Sequence, residues 1–369
     1  MSSKHQKTHD VSLLLLGTNP LYTLLPALTL GIDAQRQTYE ALLSKKRLSF
    51  ASDVLYVMFY FPYTFWDKHC EVEDGVAVYG VDRGVYLKFR RFWARVERAV
   101  KQVYPDKRIE FIIDPKMVFV DRDKILTHDL LEQAGIPVTA TLKKHHLETV
   151  LQNVSEKRGI FIKSRYGAEG KGITRVRSGE WTTNYVVKRH RPFNHPIGKK
   201  WPFTDVTGDK AFLRDLLDRD VIVEREILSV KKPGIGKFDV RVHVVGGKVV
   251  HLFVRHAGAN DVVTNWSQGG EVEHVYQNIL SKEQIASTIS VSEAAAKVLG
   301  DQFIGIDCMF DAEEPNQAIV VEAQCMCDFP KPEACNLGEV LVQYIIALQK
   351  KQKRSRIAQK PSKNSRSVL

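Results

Sequence analysis

Residues 238–245 (FDVRVHVV) alternate with a period of two: Val240, Val242 and Val244 fall on one face, Asp239, Arg241 and His243 on the other. This predicts a strand, with Gly246-Gly247 as a hairpin turn and residues 249–255 returning, Arg255 near their end. A second hairpin is read over 303–330, where residues 304–310 run out and 318–323 run back around an acidic turn containing Pro and Asn. In that pairing Asp307 meets Glu322, and Gln324 shares the face of Glu322. Two carboxylates in an apolar sheet are costly without a cation between them, and hard oxygen ligands suggest Mg2+. The alternative is a single sheet-edge carboxylate turned to water.

Upstream, residues 11–16 read as a buried strand leaving through Gly17-Thr-Asn-Pro20 into a loop and short helix. The breaks at Gly17, Asn19, Pro20 and Pro26 argue against a membrane span, although residues 11–32 carry no charge. Residues 53–60 and 108–114 are further strands, and 89–103 a helix with Phe92, Val96 and Val100 on one stripe. These imply an α/β lobe over 11–115 in which no chemistry is found. Asp121-Arg-Asp-Lys124 then opens a helix with face Leu126, Leu130, Leu131 and Ala134, Asp123 as N-cap and Gly135 and Pro137 at its end. Lys124 sits in the first turn, against the helix dipole, which hints at a ligand.

Residues 159–163 form a strand leading into a loop with Gly167, Gly170, Lys171 and Gly172, and 173–176 return. Glycines let backbone N–H groups approach an anion closely. With Lys163 at its base, this flap suits a nucleotide triphosphate, although neither G-x4-G-K-[ST] nor G-x-G-x-x-G is present; a flexible hairpin tip is the alternative. Residues 188–220 are read as an irregular insertion carrying Arg189, Arg191, Lys199 and Lys200, and 221–227 as a strand. A polar loop at 261–270, a helix at 292–299 closed by Gly300 and a last helix at 337–350 complete the chain.

The formal charge of +11 changes meaning once located: residues 350–369 hold eight Lys or Arg and no acid, leaving +3 for the body. The folded body is not expected to bind nucleic acid. The basic tail, 350–369, is expected to be disordered, as are residues 1–10; the tail would be solvated or would contact an acidic partner. The five cysteines are irregularly spaced and no signal peptide is read, so a reducing, cytoplasmic setting is expected with the thiols as small core residues.

The ordered series, a helix Lys, a Lys before a Gly-rich flap, Asp-x-Arg on a strand, Arg and Asn before a Gly pair, then Asp and Glu on a hairpin, resembles the ATP-grasp superfamily over residues 121–330. Within it, FDVRVHVVGGKVV, the Arg255…Asn265…Gly269-Gly270 series and GIDCMF…VVEAQ are most similar to RimK-type amino-acid and peptide ligases. Tubulin-tyrosine-ligase-like enzymes share Lys237-Phe-Asp239-Val-Arg241 and Thr264-Asn265.

The resemblance implies an α/β (α+β) ATP-grasp fold: an N-terminal α/β pre-ATP-grasp domain over 11–115 and an ATP-grasp domain over 116–349, with a nucleotide-clamping subdomain at 139–227. It implies that Lys124 and Lys163 contact the ATP phosphates, that the flap closes over them, and that Glu224, Arg225, Glu226 and Ile227 form the adenine hinge. Asp307 and Glu322 would hold one or two Mg2+ ions, or Mn2+, and Arg241, Arg255 and Asn265 would surround the γ-phosphate and the activated carboxylate. The implied reaction is ATP-dependent amide formation between a carboxylate substrate and an amine (amino acid, peptide or protein tail) through an acyl phosphate. The pattern departs after Glu322, where N-x-N or N-x-D is replaced by Gln324-Cys325-Met326; the longer side chain would displace or lose the second ion. An ATP-grasp kinase acting on a polyanion, resembling inositol-phosphate kinases, and a nucleotide-binding pseudoenzyme are the alternatives.

Overall fold

The computed structural model describes residues 10–17, 21–62, 71–73, 76–78, 81–196, 200–230, 232, 234–258, 261–265, 268–300 and 303–358. Thr18, Asn19 and Pro20 of the expected turn, Cys70, Lys199, Trp266, Ser267, residues 1–9 and residues 359–369 lie outside them. The chain forms two compact units, one of Met1–Tyr60, Lys101–Ile112 and Phe329–Leu369, the other of Phe61–Val100 and Ile113–Asp328.

In the first unit four described strands pair in parallel in the order Asp33–Gln37, Ser12–Leu16, Val54–Phe59, Arg108–Phe111. Leu13, Leu14, Leu15 and Leu16 are fully buried, as expected for a central parallel strand covered on both faces. The following helix, Leu21–Thr29, packs against Leu337–Ala358. Their backbones touch at Gly338, where a Cβ would collide with the Tyr22 carbonyl.

That last helix corrects the expected disorder from residue 350, since it continues to Ala358. Lys, Arg, Gln and Ala are good helix formers, and the turn is tethered as Gln349 donates to the Asp10 carbonyl and Arg108 to Gln352. Residues 337–349 also cluster with the first unit, and 61–100 with the second, so the expected boundary at 115 is crossed in both directions.

The second unit holds two five-stranded antiparallel sheets among the described residues. One runs Thr204–Asp205, Glu180–Thr183, Ile173–Arg177, Ile160–Ser164, Val221–Arg225. Its core joins Ile160, Ile162 and Val223 to Val150 of helix Leu147–Gln152 and to Phe212, Leu213 and Leu216 of helix Lys210–Leu217. That second helix and short strands give order to what reads from sequence as an irregular insertion.

The other sheet runs Glu271–Glu273, Lys248–Ala257, Lys237–Val245, Phe303–Asp311, Glu314–Gln324. Val240, Val242 and Val244 face the helix Lys282–Leu299 and its core, so the alternation in 238–245 is realised and the opposite face carries Asp239, Arg241 and His243. The helix begins well before the expected residue 292, at a capping box in which Ser281 and Gln284 exchange hydrogen bonds. Cys308, Cys325 and Cys327 are buried free thiols and Cys335 is partly exposed. Among the described residues no helix is long and apolar enough to cross a membrane.

Candidate active site

Both sheets of the second unit line one cavity of about 900 Å3, counting its open mouth. Phe161, Lys163, Ile173 and Glu224 come from the first sheet; Asp239, Arg255, Asp307, Met309 and Glu322 come from the second. Lys124, from the first turn of its helix, completes the wall, so lysines and acids nearly two hundred positions apart share one space. Asp307 pairs in register with Glu322, and the extra residue Val321 bulges between that pair and Cys308–Val320.

Lys124, Lys163, Lys171 and Arg255 in the cavity each already have an anion, while Lys237 donates to the Val262 carbonyl. Lys124 Nζ donates to Glu322 Oε1 at 2.5 Å and to the Gly167 carbonyl at 2.8 Å. Its helix is capped by Asp123, whose Oδ1 accepts from the Leu126 amide and whose carboxylate takes Arg165 at 2.6 and 2.7 Å. The dipole penalty at Lys124 is thus offset by two partners across the cavity. Lys163 meets Glu224 at 2.5 Å. Lys163 and Lys237 both lie over the Phe161 ring, 5.8 and 5.7 Å from its centroid.

Beneath these lies a buried network. Arg255 donates to Asp239 at 2.7 and 3.0 Å and reaches Asp307 at 2.8 Å; Arg241 grips both Asp307 oxygens, with Nη2 at 3.0 Å. Thr264 donates its hydroxyl to Asp239. Burial would raise the Asp307 pKa, but Arg241 and Arg255 outweigh it and hold it at about 2. Burial pushes Asp239 the other way, above the ordinary range, against the pull of Arg255. Glu322 is lowered, Lys124 overcoming the effect of burial. Lys237 falls to about 8 because burial outweighs the attraction of Glu226.

The flap closes over the mouth with backbone in the left-handed region at Glu169, Gly170 and Gly172. A Cβ on Gly170, at φ +68, would stand 2.9 Å from Asn265 Oδ1, so a side chain there would strain the flap tip and displace Asn265 on the 261–265 loop. The Gly170 carbonyl is held by Asn184 at 2.6 Å.

Of the residues singled out from sequence, Lys124, Lys163, Gly167, Gly170, Lys171, Glu224, Arg225, Ile227, Arg255, Asn265, Asp307 and Glu322 line the cavity. Gly172, Glu226, Arg241 and Gln324 do not. Gly172 sits against Ser164 and Tyr185, and Arg241 lies beneath Asp307. Glu226 turns away to Arg177 and the Gly159 amide, which uses its carboxylate structurally. Gln324 pairs with Gly305, two residue pairs beyond Asp307–Glu322. Sequence reasoning missed Phe161, Lys237, Asp239, Thr264 and Met309 as cavity residues. Lys237 and Asp239 are in the K-F-D-x-R motif and were within reach; Phe161 and Met309 are indistinguishable in sequence from core residues.

The donor set fits a hard divalent cation. Asp307 and Glu322 offer carboxylates side by side, and Lys124 takes only one oxygen of Glu322. Asp307 would have to release a guanidinium, and Arg255 is the one with Asp239 as a second partner.

A family model described as YheC/D-like ATP-grasp matches residues 119–311, more than half of the chain. The chain belongs to the YheC/D-like ATP-grasp family. It is similar to the tetrahydromethanopterin:alpha-L-glutamate ligase of Methanosarcina acetivorans, 29% identical over 188 residues, covering 50% of this chain and 48% of that protein. It is also similar to a probable alpha-L-glutamate ligase of Vibrio vulnificus, 26% identical over 204 residues, 54% of each. The chain therefore spans about half the length of the curated relatives it matches.

Among solved structures, the ATP-grasp ligase PsnB, complexed with a precursor variant, Mg and ADP, aligns with a TM-score of 0.55 at 15% identity, over 92% of this chain and 98% of that one. D-cycloserine synthetase DcsG gives 0.52 at 16%, over 91% and 99%. The D-alanine–D-alanine ligase of Bacillus anthracis gives 0.52 at 12%, over 94% and 99%. At these identities the likeness shows the fold, an α+β ATP-grasp architecture, and the YheC/D-like chain shares it.

Proposed function

We propose that this YheC/D-like ATP-grasp protein is an ATP-dependent carboxylate–amine ligase, with a RimK-like site and an amino acid of the glutamate class as one substrate. The observation that carries the reading is the convergence of Lys124, Lys163, Asp307 and Glu322 on one cavity under a glycine flap. Names of relatives as glutamate ligases support the reaction class and the substrate.

In this reading the triphosphate replaces carboxylates as the partner of Lys124 and Lys163, and flap N–H groups close on it. Asp307 and Glu322 would hold Mg2+, which neutralises charge on the phosphate oxygens when bound. Arg255, freed from Asp307, would meet the charge that spreads over the transferring phosphoryl group, while Arg241 keeps Asp307 ionised and oriented. A carboxylate oxygen attacks the γ-phosphorus and ADP leaves; the amine then attacks the acyl carbon and phosphate leaves. This chemistry requires no side-chain nucleophile.

The test is ADP and phosphate release across a matrix of acids and amines that includes glutamate, with wild type and Glu322→Ala. ADP should form only when an acid and an amine are both present, and Glu322→Ala should abolish it without unfolding the chain. A phosphorylated alcohol as end product, or full turnover by the variant, contradicts the proposal.

A further inference from the structure

The helix Arg83–Val103 carries seven Lys or Arg and one Glu, while the body outside residues 350–369 has an excess of only +3. The remainder of the body is therefore net negative, and the positive charge is gathered on one element. Phe89, Phe92, Trp93, Val96 and Val100 are buried, so the apolar face is consumed by the fold and cannot enter a bilayer. On the opposite face Lys88, Arg91, Arg95 and Arg98 follow one another at three- and four-residue steps, all exposed, with Arg83 a turn earlier.

Among the described residues no ion pair joins these five cations to an acid; Arg98 donates only to its own helix, at the Ala94 carbonyl. Like charges at this spacing repel, and the one acid at the helix start, Asp82, is engaged as its cap, accepting from the Gly84 and Val85 amides. A ridge of mutually repelling cations points to an anion that relieves it.

We propose that this ridge docks an acidic polypeptide, namely a carboxylate-rich segment of the substrate; this rests on the ligase reading. From Lys88 to Arg98 the ridge is about 15 Å long. An extended peptide presents side chains on one face about every 6.6 Å, so about three carboxylates span it. Arginine predominates, matching carboxylates with a planar two-pronged donor. The helix's aromatic side chains are all buried, leaving no platform for stacking nucleic-acid bases. The ridge also starts at the root of the flap: Tyr86 stacks on Tyr166 at 4.2 Å, and Ser164 donates its hydroxyl to the Val81 carbonyl. A segment held here belongs to the molecule being processed.

The experiment is fluorescence anisotropy of a labelled oligoglutamate of about ten residues against the full chain at about 0.15 M salt. Arg91→Gln/Arg95→Gln/Arg98→Gln should weaken binding about tenfold or more. The corresponding triple Lys variant should retain most of it, while Mg·ATP affinity and thermal unfolding stay unchanged in both. Equal oligoglutamate binding by wild type and the Gln variant overturns the proposal. So does tighter binding of wild type to a nucleic-acid duplex of equal charge, or to phosphatidylserine vesicles. Because no turnover is read, ridge-dependent binding in a chain that forms no amide would sink the ligase reading and leave the docking surface standing.

Discussion

Replacing Asp307 by Asn removes the anion shared by two buried guanidiniums. The side chains of Asp307, Arg241 and Arg255 are 3%, 6% and 8% exposed, so water cannot take over. The amide leaves two positive charges against Asp239 alone and places an NH2 group among donors. Breaking a buried pair in this way costs about 3–5 kcal/mol, more than the pair's net worth, because uncompensated charge stays behind. Adding Arg241→Leu should return at least half of the loss, since an apolar side chain has no charge to strand.

The acid limb offers an independent magnitude. The Asp307 carboxyl is depressed from 3.8 to about 2, so its contribution is complete above about pH 4 and is lost as pH falls through about 2. That contribution is about 2 kcal/mol. Urea unfolding followed by the fluorescence of buried Trp181 and Trp201 measures both effects in the unit that holds the network. A loss below about 1 kcal/mol for Asp307→Asn, with no recovery in the double variant, would refute the network as a buried, mutually compensating set.

Three further outcomes follow from other parts of the site. Gly170→Ala places a Cβ 2.9 Å from Asn265 Oδ1 at φ +68, and should cost about 1 kcal/mol of strain and raise the KM for ATP about tenfold in steady-state kinetics. Glu226→Gln should lower stability by about 1–3 kcal/mol in urea unfolding while leaving ATP affinity within about twofold, because its carboxylate serves Arg177 and the Gly159 amide. Lys237 titrates near 8 and should be raised by an arriving triphosphate, so Mg·ATP binding near that pH should take up protons. Calorimetry in buffers of different ionisation enthalpy reads that uptake, and Lys237→Met should remove it.

What could be read in advance followed from periodicity. The two-residue repeat of 238–245 sets valines and charges on opposite faces wherever the strand goes, and the same repeat brings Asp307 to Glu322. The bulge at Val321 left no trace in sequence, yet it lies beyond the pair and spares the facing. Asp33–Gln37, reading DAQRQ, has no apolar repeat; it is an edge strand held by backbone pairing to Ser12–Leu16. Helix Lys210–Leu217 shows its stripe only in Phe212, Leu213, Leu216 and Leu217, too short to stand out in a polar insertion. Asp239 was visible as a charged strand position, but its partnership with Arg255 depends on cross-strand register, which the residue types alone do not specify.

The account stands on acyl activation in the cavity shared by Lys124, Lys163, Asp307 and Glu322. The most direct measurement uses an acid labelled with 18O in its carboxylate, incubated with the chain, Mg2+, ATP and an amine, and mass analysis of the phosphate released. One labelled oxygen should appear in each phosphate formed by wild type, and none in reactions of Glu322→Ala. Phosphate free of label while amide accumulates, or labelled phosphate from the variant at the wild-type rate, would contradict it.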